Sequence, residues 1–156
     1  MLSPEGVSLA RRIGSEQMRG KGYTYIAVTS HFRTAQTAAA MAEGAGDFTC
    51  TNLIMPSALN SAWLSEWSLY FQEHDANLVP ENGFIVSESL RMAIEFHAIC
   101  MNFPSNVHLL GVGYTPFIEC LVYGLTDEII APLKECEGVI LGDDGDGFKL
   151  FEVIRL

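Results

Sequence analysis

Three observations predict an α/β domain with a mostly parallel sheet covered by helices on both faces. Strand-like and helix-like segments alternate through the first two thirds of the chain, the pattern that parallel sheets impose. The chain has 156 residues, 49% of them apolar, which suits one domain with a substantial core. Leu109 to Glu119 (LLGVGYTPFIE) reads as a buried strand that turns through Gly111 and Gly113 and launches a helix at Thr115-Pro116, with Tyr114 at the tip. In an open α/β sheet, ligands sit in the crevice beyond the carboxyl end of such a strand. The expected architecture is a single domain over residues 1–156, a three-layer α/β/α sandwich.

Each element has its own signal. Ser3 is a helix N-cap and Pro4 is preset for the first helical position. Val7, Ala10 and Ile13 line one face of that helix, and Gly20 and Gly22 end it. Tyr23 to Thr29 is β-branched and aromatic, as a buried strand requires. A helix follows from Phe32 to Glu43, stopped by Gly44 and Gly46. Phe48 to Met55 is a weaker strand pattern. Leu59, Trp63, Trp67 and Tyr70 recur at spacings of four, four and three, a stripe of bulky side chains on one helix face that suits a core. Asp75 to Gly83 is a polar connection. Ser87 opens a helix to Asn102 that is apolar nearly all round and is expected to be buried. Val107 to Gly113 is expected as a central strand, followed by a short helix to Gly124. Gly138 to Gly142 and Phe148 to Leu156 bracket Asp143-Asp144-Gly145-Asp146-Gly147 as a hairpin, an antiparallel addition at the sheet edge.

The formal net charge of −10 argues against a general nucleic-acid binder, which needs a basic surface to displace counterions from phosphates. No stretch approaches the roughly 20 apolar residues that span a bilayer, so no membrane partner is expected. The N-terminus has neither the basic flank nor the apolar core of a secretory signal, and the expected location is cytoplasmic. Cys50, Cys100, Cys120 and Cys136 are widely separated, form no C-x-x-C pair and sit in apolar stretches, so they are expected as small buried hydrophobes with no metal and no cofactor. The acidic run starting at Asp143 lacks an acid at its twelfth position, Ile154, and so fails as an EF-hand. Gly111-Val112-Gly113 fails as a dinucleotide fingerprint because the third glycine position is Pro116.

Two turns carry the candidate chemistry. Arg33, Gln36 and Thr37 stand at i, i+3 and i+4 on one face of a helix. An arginine in a first turn opposes the helix dipole and is easier to understand where an anion is expected, since its planar fork matches phosphate oxygens. At the other turn, Thr115 is suited to cap and Pro116 to start the helix, leaving backbone N–H groups for an anion. Tyr114 can donate a hydrogen bond, but a tyrosine phenol ordinarily titrates at roughly 10 and is a poor proton shuttle near neutrality. Glu119 reads as helix stabilisation in the first turns. Among the histidines, His31 lies closest to Arg33; His97 falls on the stripe of Leu90, Ile94 and Met101 and is expected as a satisfied core histidine, His108 begins a strand and His74 sits near a helix end. Glu66 and Glu73 lie in the middle segment without a pattern that assigns either as an acid.

In order along the chain, Leu2-Ser3-Pro4-Glu5-Gly6 with Ala10, Thr29-Ser30-His31-Phe32-Arg33-Thr34-Ala35-Gln36-Thr37, Ser87-Glu88-Ser89 and Gly113-Tyr114-Thr115-Pro116 together resemble the histidine phosphatase superfamily, the phosphoglycerate mutase-like proteins. The resemblance implies a phosphoglycerate mutase-like fold and a phosphate site formed by Arg33, Thr29, Tyr114 and Thr115. In the family, the arginine at position 33 contacts the phosphoryl group. Thr29 has the family serine's separation from that arginine, and Tyr114 occupies the place of the second catalytic histidine.

No Arg-His-Gly, the family's phosphoryl-accepting motif, occurs in this sequence, and the chain starts at the helix that follows that strand in the family. The expectation is therefore a truncated, degenerate member that lacks the first strand, is catalytically inactive or impaired, and retains weak binding of phosphate or a small phosphorylated molecule. One alternative is an active phosphatase working through a phosphohistidine if upstream residues supply the motif. Another is an interaction module, with a homodimer pairing the edges that a missing central strand exposes.

Overall fold

Ser3 starts the first helix in the manner its sequence position predicts. In the computed structural model, which describes residues 1–29, 31–46, 51–54 and 83–156, its Oγ accepts the Gly6 N–H at 3.1 Å and Pro4 opens helix α1, Pro4–Ile13. Ala10 and Ile13 are buried on its inner face. The helix then widens into a π-helical segment, Gly14–Met18, before the chain turns into strand β1, Tyr23–Val28. Helix α2, Phe32–Ala45, runs past Gly44 and ends at Gly46, whose φ of 90° only a glycine adopts readily.

Gly44 is inside the helix and not at its end because it serves packing. A Cβ at Gly44 would lie 1.9 Å from the Arg11 carbonyl oxygen, and one at Gly14 would lie 1.9 Å from that of Met41. The two glycines thus let the α1 and α2 backbones touch, and the exposed Arg11–Glu43 ion pair at 2.8 Å flanks the contact.

Strand β2, Thr51–Ile54, and strand β3, His108–Val112, pair with β1 on its two sides, both parallel to it, in the order β2-β1-β3. Ile26 of β1 faces Leu110 of β3 in register, and Val28 faces Val112. Ile26, Ala38 and Val112 form the buried cluster that joins this sheet to α2, with Val28, Ala42 and Leu110 around it. The parallel sheet is as expected, but β1 holds the centre and β3 is paired along one edge only among the described residues.

These elements belong to one unit, drawn from Met1–Ser57 and Met101–Gly113; a second is drawn from Ala58–Cys100 and Tyr114–Leu156. The second unit is built on helix α3, Gly83–Cys100, helix α4, Phe117–Thr126, and strands β4, Gly138–Asp143, and β5, Phe148–Ile154. Helix α3 begins four residues before the expected Ser87, and it is not buried all round. Ile85, Ser89, Met92 and Ala93 recur on its buried face, whereas Leu90 and Ile94 stay exposed, Ile94 by 71%. His97 follows that exposed stripe and lies edge-on to Phe148, so it is not the core histidine that periodicity predicted.

Gly124 of α4 meets α3 at the Ser89 carbonyl, where a Cβ would stand 2.0 Å from the oxygen. The other side of α4 packs Val122 against Ile130 and Leu133, with Val139, Leu141, Leu150 and Val153 of the hairpin around them. The hairpin is present as predicted, but β4 and β5 make an antiparallel sheet of their own, with a bulge between Ile140 and Leu141. Its turn is shaped by Asp143 Oδ1 accepting the Gly145 N–H at 2.9 Å and by positive φ at Gly145 and Gly147. Arg155, just beyond β5, ties the preceding loop down: it donates to the carbonyls of Ala131 and Pro132 and to Glu137 Oε2 at 2.7 Å.

The described chain is therefore mixed α/β, with a small parallel and a small antiparallel sheet. The stripe of Leu59, Trp63, Trp67 and Tyr70 lies outside the described residues, as do Cys50, Glu66, Glu73 and His74. Cys120 is buried, and Cys100 and Cys136 are half-buried. Among the described residues, no helix is long and apolar enough to cross a membrane.

Candidate functional site

The turn from β1 into α2 is held from inside by a residue that sequence reasoning did not single out. Thr34, three residues beyond the N-cap His31, is buried, and its Oγ1 lies 3.0 Å from Thr29 Oγ1, 3.0 Å from the Thr29 carbonyl and 2.6 Å from the His31 carbonyl. The Thr34 N–H also donates to the His31 carbonyl, and the Thr29 N–H donates to Val112 of β3. Thr29 is 5% exposed, so its hydroxyl faces Thr34 and organises the turn. The available signal was local: a threonine near a helix start bonds backward to the preceding carbonyls. Ser30 lies outside the described residues.

Arg33 stands beside Thr34 in the first turn of α2, exposed, and its guanidinium makes no hydrogen bond or ion pair with a described residue. Its carbonyl accepts the Thr37 hydroxyl at 3.0 Å. Gln36, on the same face by periodicity, is used structurally, its Oε1 accepting the Leu2 N–H at 2.9 Å. His31 is exposed and makes no side-chain cap.

Tyr114 and Thr115 lie in the second unit. Tyr114 is half-buried with its ring 5.9 Å from that of Phe117, and burial raises its phenol above the ordinary tyrosine value. It therefore stays protonated near neutrality, a donor and not a base. Its carbonyl accepts the Ile118 N–H at 3.2 Å. The helix cap falls one residue later than expected, on Pro116, because the Thr115 hydroxyl is turned inward. That hydroxyl lies 2.9 Å from Glu119 Oε1 and 2.9 Å from the Leu133 carbonyl. The Thr115–Pro116 peptide bond is cis.

Glu119 is more than a favourable charge in a first turn. It is 4% exposed, and its Oε1 accepts the Leu133 N–H at 2.7 Å. Burial, the largest influence, raises its carboxyl above the ordinary range, while the Leu133 and Glu119 N–H groups and the Arg155 charge pull it down. Thr115 and Glu119 at i and i+4 on a helix start were the visible clue to this pairing.

His108 is exposed at the start of β3, bonds through Nδ1 to the Lys21 carbonyl, and has Tyr23 edge-on at 6.0 Å. No group of three or more histidine, cysteine or acidic side chains among the described residues could hold a metal. No protein-family model matches the chain, and no curated protein matches it.

Proposed function

We propose that the chain is a histidine phosphatase-like domain of the phosphoglycerate mutase type, a three-layer α/β/α sandwich, that has lost or nearly lost catalysis and binds phosphate or a small phosphorylated molecule. Arg33 carries the binding half. A cation in the first turn of a helix is unfavourable for the dipole, and this one is exposed with no partner among the described residues. The buried Thr29–Thr34 lock holds the backbone on either side of it. A helix start of this kind presents a guanidinium and helix N–H groups together, a combination suited to an oxyanion. The catalytic half is supported by Tyr114, which stands at the place of the family's second catalytic histidine and whose phenol burial keeps protonated.

The test is thermal unfolding with and without inorganic phosphate or vanadate. At ten times its dissociation constant, a ligand of the folded state adds about 1.4 kcal/mol. Phosphate should raise the wild-type midpoint and leave Arg33→Ala unmoved; an unresponsive wild type would remove the binding claim. Turnover of a generic phosphomonoester by this chain would remove the inactivity claim, and Tyr114→His in the same assay shows what the second histidine position contributes.

Assembly is a second reading, favoured by β3. Its far edge is unpaired among the described residues, and an open edge can accept a strand from another copy. Light scattering across a concentration series tests it: a monomer at every concentration rules the homodimer out.

A further inference from the structure

Hydrogen counting at Glu119 points to a proton on its carboxyl group. Three contacts join three residues: the Leu133 amide to Glu119 Oε1 at 2.7 Å, Thr115 Oγ1 to Glu119 Oε1 at 2.9 Å, and Thr115 Oγ1 to the Leu133 carbonyl at 2.9 Å. The amide supplies one hydrogen and the hydroxyl one. If the carboxyl is ionised, two hydrogens serve three contacts, and two oxygens face each other with no proton between them. If it is neutral, its own hydrogen fills the third contact: Oε1–H donates to Thr115 Oγ1, and Thr115 donates to the Leu133 carbonyl.

The second oxygen agrees. Glu119 Oε2 is buried with no hydrogen-bond partner among the described residues. A carboxylate would spread its charge onto that unsolvated atom, which is costly in a low-dielectric interior, whereas a carbonyl oxygen tolerates it far better. We propose that Glu119 is held in the folded protein as the neutral carboxylic acid, donating to Thr115 Oγ1, so that one proton fastens segment 130–133 to the turn before α4 and its loss unfastens them.

The groups facing Glu119 do not supply that negative charge with a close counterion. Arg155, from the end of β5, attracts it but spends its guanidinium on Glu137 and the carbonyls of Ala131 and Pro132. On α4 itself the neighbour is Cys120, whose thiol burial pushes upward and keeps neutral. Where α3 packs on α4, the side chain beside Cys120 is the uncharged, buried Ser89. Because the folded state raises this carboxyl, the fastening is complete below the ordinary carboxylate range and is lost as pH rises through the folded value. A neutral Glu119 also leaves the Tyr114–Thr115 turn without a negative charge behind it, a consequence that alone rests on the phosphate-binding proposal.

A carbon-detected NMR titration of the side-chain carboxyls, free of phosphate, tests the proton directly, with Glu119→Gln identifying the resonance. Glu119 should titrate above every other glutamate among the described residues, and the hydrogen-exchange protection of the Leu133 amide should fall across that same titration. Thr115→Val should move the titration downward, because the neutral form loses two hydrogen bonds and the ionised form one. Titration together with the exposed glutamates, or an upward shift in Thr115→Val, would overturn the proposal; the upward shift would mean that Thr115 donates to a carboxylate. Should Glu119→Gln fail to fold, through-bond correlation in the wild type assigns the signal.

Discussion

Replacing Gly14 by alanine should separate α1 from α2. The added Cβ would fall 1.9 Å from the Met41 carbonyl oxygen, 2.7 Å from its carbon and 2.9 Å from its Cα, all backbone atoms that cannot rotate aside. Ordinary contact begins at 3.4 Å, so the shortfall is about 1.5 Å. An opening of that size loosens the interface built on Ala10, Ile13, Met41 and Ala45, all buried. Overpacking of this kind costs about 1–3 kcal/mol, and a clash with backbone belongs at the upper end. Against it stands the helix-propensity gain of alanine over glycine, about 1 kcal/mol. The expected net loss is about 2 kcal/mol.

Gly44→Ala meets the Arg11 backbone at the same 1.9 Å and should cost a similar amount. The double variant should lose less than the two single losses together, since the gap opened by one methyl accommodates the other. Urea unfolding followed by far-ultraviolet circular dichroism measures all three, with an unchanged m-value indicating a change in stability alone. Gly14→Ala at or above wild-type stability would refute the close-contact account, and strict additivity would show that the two glycines do not share one interface.

Other predictions follow from named contacts. Thr34→Val strips the buried lock of the β1–α2 turn and should cost about 1–3 kcal/mol, while Thr34→Ser, which keeps the hydroxyl, should retain most of it; urea unfolding separates the two. Glu137 accepts from the Lys134 N–H and from Arg155, with a smaller contribution from the Leu156 N–H, and its carboxyl is lowered from 4.5 to about 2. Its stabilisation is present above the ordinary carboxylate range and lost as pH falls from about 4.5 to about 2, so Glu137→Gln should flatten the acid limb of the stability profile. Glu119, shifted in the opposite direction, contributes a loss as pH rises, which Glu119→Gln should abolish. Ile94→Gln on the exposed face of α3 should change stability by less than about 0.5 kcal/mol, whereas a loss of several kcal/mol would mean that this face is covered.

Local chemistry was legible in the sequence wherever a few neighbouring residues settle the outcome. Ser3 and Pro4 start a helix because a hydroxyl and a preset φ act within one turn. Tyr23–Val28 is a strand because its β-branched and aromatic side chains fit a pleated, buried surface, and glycines between two such runs make a hairpin. The placing of Arg33 in the first turn of α2 needed no more than the helix start.

What the tertiary structure decided depends on which atoms meet across large sequence separations. Gly44 looked like a stop signal and is an interior contact, since only the approach of Arg11 gives its missing Cβ a purpose. Helix α3 looked apolar all round, and packing on α4 buries just one face of it. Strand β3 carries the pattern of a buried strand, yet hydrogen-bond pairing places β1 at the centre among the described strands, because apolar runs do not encode neighbour order. Glu119 reads from its position as a surface helix stabiliser; Leu133, 14 residues away, makes it a buried acid, since burial and the resulting cost of ionisation belong to the folded surroundings and not to the residue.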